Sequence, residues 1–500
     1  MSDSIEKGRV VILGFDGMDY DLTRDMIDRG LMPHLEKLAK PGGFLPLLSV
    51  FPADSIPSWI TTYTGLDPSE HGVLDHVNYL LPGDDIDEVD TSVFHTKTFW
   101  DRVSNESESE VCIINPFMAY PVWPVKGVMI SGPVFIDGSI QVSDSTRTEG
   151  IKVPGSLGGI VGLPNRSNIE SFYHNTLSDT REQAEFGLKM LRSQKPGLFF
   201  QTFLTSDRIQ HHLWRYCDQS DPTYPGKTNV EGGLEEFFKL VDSVVGDFIQ
   251  ELEPDDTLLV MSDHGHGMRC THCFNINEYL MRNDYLVSAS KGKKFSRKVL
   301  LEKLKNKVLK FMNDHDLEDY ISKVAKLVPN AKALKKGSHI TSYSESIAYA
   351  SDFAGTNPFG GICINKERVD NYELVREKLI SELSELCHEG KKIFKWLKPR
   401  EALYSGRHID RYPDILYEMV PQLGTGFSLH TDLVTVNPTH KKVSGGHKAN
   451  GVFFVNNVER WELASSKCKI TNMYATILGL FGIDPQLPNN AESFLVKKQG

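Results

Sequence analysis

Short, strongly apolar runs recur along the chain, each followed by small or polar residues. Residues 9–15 read RVVILGF, a β-branched run of the kind buried on both faces of a central parallel strand. Runs of similar length cover residues 110–115, 198–204, 257–262 and 414–419. Between them, apolar positions return at helical spacing over residues 22–38, where Pro33 interrupts, and over 180–193 and 234–252. This alternation predicts an α/β fold with a mostly parallel central sheet and helices on both faces.

Two stretches break the alternation. Residues 288–338 include KGKKFSRKVLLEKLKNKVLKFM, which keeps helical spacing but is dense in lysine, and read as a smaller inserted helical cap. Residues 116–166 are rich in Gly, Pro and Ser and predict loops at the mouth of a site. The expected organisation is a catalytic core in two parts, residues 8–287 (with the loop insertion at about 116–166) and 341–490, separated by the cap at 288–340.

Composition narrows the functional class. With 500 residues, 40% apolar and 24% charged, the chain has the makeup of a soluble globular enzyme. A net charge of −11 argues against stable nucleic-acid binding, which draws on a basic excess. A phosphate ester remains an acceptable ligand, because bound divalent cations reverse the local field. No apolar run approaches the roughly 20 residues of a transmembrane helix. The lysine-rich cap reads first as a solvated amphipathic helix pair; peripheral membrane contact or attraction of an anionic substrate is the competing reading. Residues 1–9 lack the basic start and apolar stretch of a secretory signal, and seven irregularly spaced cysteines form no disulfide framework, so a cytoplasmic location is expected. Cys270 and Cys273 form a lone C-x-x-C, a weak signal for metal or redox chemistry without a second pair.

The candidate chemistry lies where the apolar runs end. Asp16 closes the first run, and Gly17 lets the backbone turn, leaving a carboxylate at a strand's C-terminal edge. Ser55 precedes Pro57, whose place in a first helical turn puts the hydroxyl at a helix N-terminus. It reads either as an N-cap or as a nucleophile where a phosphate can be received, and Asp54 is able to take the capping role. Asp207 and His211 stand four apart, on one helix face, and can chelate one ion or simply hydrogen bond to each other. Asp263 and His264 end another apolar run before two glycines, as a metal pair or a metal-free carboxylate–histidine pair. His447, in the glycine-rich SGGHKANG, means little alone and reads as a surface loop residue, and His266 is left unassigned.

Taken in order, these residues resemble the alkaline phosphatase superfamily, most closely its type I phosphodiesterase/nucleotide pyrophosphatase branch, which includes predicted phosphohydrolases and phosphomutases. The matching set is Asp16, Ser55 with Pro57 and Thr64-Gly65, Asp207 with His211, Asp263-His264-Gly265, and Gly445 with His447. LDPSEHG, YPDILYE and NMYATILGLFGI also look like family segments, so the resemblance runs from about Val10 to Ile483. It implies two divalent ions, zinc first and manganese acceptable to the same donors. Asp207, His211 and His447 would hold one; Asp16, Asp263 and His264 the other, joined by Ser55.

The implied function is a two-metal phosphoester hydrolase, a phosphodiesterase or nucleotide pyrophosphatase working through phospho-Ser55 on a small phosphoester or nucleotide. The alternatives are a phosphomonoesterase, a metal-dependent phosphomutase and, less favoured, a non-catalytic binding protein. Sulfatase chemistry is disfavoured because SIPSW lacks that branch's motif. One departure stands out: 21 residues past Ser55, similar pyrophosphatases carry a phosphate-binding asparagine, and here the position is His76. His76 and Lys448 are thus the expected substrate-binding residues.

Overall fold

The computed structural model describes residues 8–74, 94–134, 137–158, 164–288, 297–315, 317, 341–351, 357–463, 468–488 and 491–498. Its centre is a nine-stranded sheet. In spatial order the strands are Cys468–Lys469, Phe44–Leu48, Asn450–Val455, Thr257–Met261, Val10–Phe15, Leu198–Phe203, Val111–Ile114, Gly127–Ser131 and Gln141–Val142. The five from Thr257–Met261 to Gly127–Ser131 run parallel, and Asn450–Val455 pairs antiparallel on both sides. Val10 lies opposite Leu198 on one side and Thr257 on the other.

This register explains the sequence pattern of the first run. Alternate side chains leave opposite faces of the strand. Val11, Leu13 and Phe15 join a core with the helices Ile169–Gln194 and Gly233–Gln250, whereas Val10 and Ile12 join one with Ser55–Thr64, Phe99–Glu106 and Met473–Leu480. Both faces are covered, so every position must be apolar, and a fully buried Phe or Ile contributes about 1.5–3 kcal/mol relative to exposure.

Three expectations need adjustment. The helical pattern over residues 22–38 is two helices, Tyr20–Asp28 and Pro33–Leu38, broken where Gly30 takes a positive φ of 71°. The helix expected over 180–193 begins at Ile169, because polar residues there still bury Tyr173, Thr176 and Leu177. The run at 414–419 does form a strand, Ile415–Met419, but in a separate antiparallel sheet with Ala348–Ser351, Phe359–Ile364 and Phe394–Pro399. That sheet has its own core of Ile362, Leu379, Leu383, Ile415 and Tyr417. An apolar run encodes burial but not which strand it will pair with.

Of the cap expected at 288–340, the helix Arg297–Asp314 is among the described residues and the rest lies outside them, apart from Ser288, His315 and Leu317. Among the described residues no helix is long and apolar enough to cross a membrane.

Candidate two-metal active site

The C-terminal ends of three adjacent parallel strands converge on one buried spot. Asp16 follows Val10–Phe15, where Gly17 turns the chain at φ 69°. A Cβ on Gly17 would come within 3.1 Å of Asp207 Oδ1, so the glycine serves both the turn and the close approach. The turn is tied down: Met18 N donates to Ser262 Oγ at 2.8 Å, and Ser206 Oγ donates to the Asp16 carbonyl at 2.6 Å. Leu198–Phe203 leads into the helix Thr205–Cys217, whose first turns carry Asp207 and His211. Thr257–Met261 leads to Asp263 and His264.

The helix Ser55–Thr64 approaches from the side. Asp54 is its N-cap and accepts from Ile56 N at 3.2 Å, which leaves the Ser55 hydroxyl uncommitted to capping. Ser55 Oγ donates to Asp16 Oδ1 at 3.0 Å and lies 3.0 Å from His264 Nε2.

His447 arrives by a route that sequence did not anticipate. It lies not in a loop but in a short strand, Gly445–Lys448, paired antiparallel with Gly265–Met268. His447 Nε2 is 3.4 Å from Asp207 Oδ1 and 3.0 Å from His211 Nε2; His211 Nε2 is 3.3 Å from Asp207 Oδ2. The structure thus gathers Asp16, Ser55, Asp207, His211, Asp263, His264 and His447. Lys448 sits beside them, its ammonium 3.9 Å from Asp19 Oδ2 and its side chain half exposed. His76 lies outside the described residues.

Donor chemistry tests whether divalent ions suit this cluster. Nδ1 of His211, His264 and His447 faces the backbone carbonyls of Gly445, Gly265 and Ala53 at 2.9, 2.9 and 3.1 Å. A carbonyl only accepts, so each Nδ1 carries the hydrogen and each Nε2 is turned inward, the orientation of a metal-ligating histidine. Inside, Asp263 Oδ2 and both ring nitrogens of His266 are buried without hydrogen-bond partners among the described residues. The Ser55 hydroxyl has one proton, already given to Asp16, so His264 Nε2 and Ser55 Oγ direct lone pairs at the same space. Ligands on a tetrahedral zinc with ~2.0–2.1 Å bonds stand about 3.3 Å apart, close to the separations among Asp207, His211 and His447. The residues fit the ions.

The electrostatics agree. Burial pushes the Asp16 carboxyl well above the ordinary carboxylate range, and the nearby charges of Asp263 and Asp207 push the same way. Burial likewise raises Asp263, with Asp207 adding to it. Burial acts to raise Asp207 too, but His211 and His447 outweigh it and hold that carboxyl well below its usual value. Burial lowers His264 to about 3, helped by His447. His447 goes the other way: burial disfavours its charge, yet the close contact with Asp207 and the charges of Asp207, Asp54 and Asp16 lift it to about 9.

Sequence reading missed two participants. Trp59 Nε1 donates to Asp16 Oδ2 at 3.1 Å; it lies four residues after Ser55 on the same helix face, which was the available signal. His266 points at Asp207, with Nε2 3.5 Å from Oδ1. Its partner across the two-stranded pairing is His447, and no sequence pattern shows that register.

A doubly covered, mostly parallel sheet with a carboxylate–imidazole centre and a buried serine at its strand ends is the architecture of the alkaline phosphatase superfamily. Residues 10–368 match the family described as type I phosphodiesterase / nucleotide pyrophosphatase, and the chain belongs to that family. It is accordingly a metal-dependent phosphoric ester hydrolase. Solved structures of phosphonoacetate hydrolase from Sinorhizobium meliloti 1021, one in complex with phosphonoacetate and one with phosphonoformate, share the fold at 13% identity. Each has a TM-score of 0.51 and 95% of both chains covered. No curated protein sequence matches the chain.

Proposed function

We propose that this protein is a two-metal phosphodiesterase or nucleotide pyrophosphatase, acting on small phosphoesters through a phosphorylated Ser55. The observation that carries the reading is the position of Ser55 Oγ: buried at a helix N-terminus, relieved of capping by Asp54, and 3.0 Å from both Asp16 and His264.

Two divalent ions, zinc by the mixed imidazole–carboxylate donor set, would be held by Asp207, His211 and His447 and by Asp16, Asp263, His264 and Ser55, and would supply charge neutralisation and activation of the hydroxyl. Asp16 Oδ1 is placed to take the Ser55 proton as Oγ bonds to phosphorus and the ester oxygen leaves with its electron pair. The Trp59 N–H keeps Asp16 turned towards the serine. A water then attacks phosphorus, breaks the Ser55 Oγ–P bond and restores the hydroxyl. Lys448, half-exposed at the edge of the cluster, would meet a phosphate oxygen.

Charge favours the diester. Two divalent ions exceed the three carboxylates of Asp16, Asp207 and Asp263 by one positive charge, which matches the single negative charge of a diester better than a monoester dianion. The test compares hydrolysis of an aryl phosphodiester and the matching aryl monoester by zinc-reconstituted wild type and Ser55→Ala. The reading expects faster diester cleavage that is lost in the variant. Preferential, Ser55-dependent monoester turnover would move phosphatase or mutase chemistry to first place.

A further inference from the structure

We propose that His266 is a fourth protein ligand at the Asp207 site, making it a three-imidazole, one-carboxylate centre that retains its ion after the Asp16 site has lost its own. This rests on the two-metal reading above and extends it to a residue outside the seven-residue set.

The backbone places the ring. Gly265–Met268 and Gly445–Lys448 pair antiparallel with His266 directly opposite His447, so both side chains leave the same face. The His266 ring centre lies 4.6 Å from that of His211 and 5.7 Å from that of His447. Ligand atoms from Asp207, His211, His266 and His447 all fall within 4.8 Å of one another.

The chain also makes room for this ring. A Cβ on Gly445 would stand 2.5 Å from His266 Cε1, and one on Gly17 would stand 3.3 Å from Cδ2. Trp214 stacks nearby at 6.0 Å between centres. A histidine kept only for packing would settle its polar atoms in hydrogen bonds, as buried side chains generally do. His266 is fully buried, and neither ring nitrogen has a hydrogen-bond partner among the described residues. Its Nε2 instead faces Asp207 Oδ1, itself buried without a hydrogen-bond partner among the described residues.

With His266 each site has four protein donors, enough for a tetrahedral shell. They differ in kind: the Asp207 site offers three imidazoles, which suit zinc, whereas the Asp16 site has one imidazole and counts the weakly donating Ser55 hydroxyl among its four, so the Asp207 site is the one expected to retain its ion.

The test uses the full chain loaded with Zn²⁺ alone, titrated with a competing chromophoric chelator, with metal per chain counted by elemental analysis. Wild type is expected to release two ions in separated steps. His266→Phe keeps a ring of similar size, so packing survives while ligation cannot. It is expected to weaken the tighter step at least about tenfold, since loss of a mere outer-shell partner already costs 10–100-fold. Co²⁺ alone supplies an independent readout, the visible absorption band changing in His266→Phe. His266→Gln repeats both measurements should the phenylalanine variant fold poorly. Two ions held with wild-type affinity and an unchanged Co²⁺ spectrum in both variants would overturn the proposal and leave His266 a packing residue. A wild type that takes up no ion would overturn the two-metal reading as well, so the two failures are distinguishable.

Discussion

Replacing Trp59 with phenylalanine removes one N–H from the site while keeping an aromatic ring in the core. Trp59 is fully buried, 6.0 Å from the Tyr63 ring centre and 6.2 Å from that of Phe200. It packs against Gly14, where a Cβ would come within 2.6 Å of the indole. Its Nε1 gives Asp16 Oδ2 a hydrogen bond at 3.1 Å and is the leading force opposing the upward push of burial on that carboxyl. A hydrogen bond to a charged group is worth about 1.5–3 kcal/mol, so the variant should bind zinc at the Asp16 site roughly ten- to a hundredfold more weakly at fixed pH. Trp100 provides the control. It lies in the same aromatic cluster, but its Nε1 is buried without a hydrogen-bond partner among the described residues. Trp100→Phe makes the same indole-to-phenyl change and should shift urea stability while leaving zinc affinity within about twofold. Isothermal titration of both variants and the wild type decides. Equal loss of zinc affinity in the two would refute the argument that this N–H tunes Asp16.

Other variants separate charge, backbone and proton effects. Asp263→Asn removes a buried carboxyl whose Oδ2 has no hydrogen-bond partner among the described residues. The metal-free melting temperature should therefore hold or rise, while the stabilisation by zinc seen in wild type is lost. Gly445→Ala would set a Cβ 2.3 Å from the Gln210 carbonyl, displacing the strand that carries His447. A stability loss of about 1–3 kcal/mol in urea and weaker zinc binding are expected. His447 holds its proton more tightly when folded (about 9) than its ordinary 6.5, so its contribution to metal-free stability is complete below about pH 6.5 and lost as pH rises through about 9. Metal-free wild type should therefore lose stability over that window relative to metal-free His447→Gln, by no more than about 3 kcal/mol.

Much of the site was legible because its residues sit at strand ends and helix starts, which local pattern reveals. Asp16 and Asp263 end runs whose two-sided burial forces an unbroken apolar spelling, and Ser55 is marked by Pro57 and by Asp54 as a substitute cap. What escaped depends on pairing. His447 looked like a loop residue because a two-stranded ladder built on Gly445–Lys448 has little apolar content to announce it. His266 gained a role only when that ladder set it opposite His447. The run at 415–419 was spelled correctly as a strand but joins a different sheet, since partner choice depends on distant chain segments.

The claim of a covalent phospho-Ser55 intermediate is tested most directly by the stereochemical course at phosphorus, using a chiral aryl phosphorothioate diester hydrolysed in isotopically labelled water by the zinc-loaded enzyme. Attack by Ser55 Oγ followed by attack of water inverts phosphorus twice, so net retention is predicted. Net inversion would mean that water strikes the substrate in a single step, and would contradict Ser55 as the nucleophile.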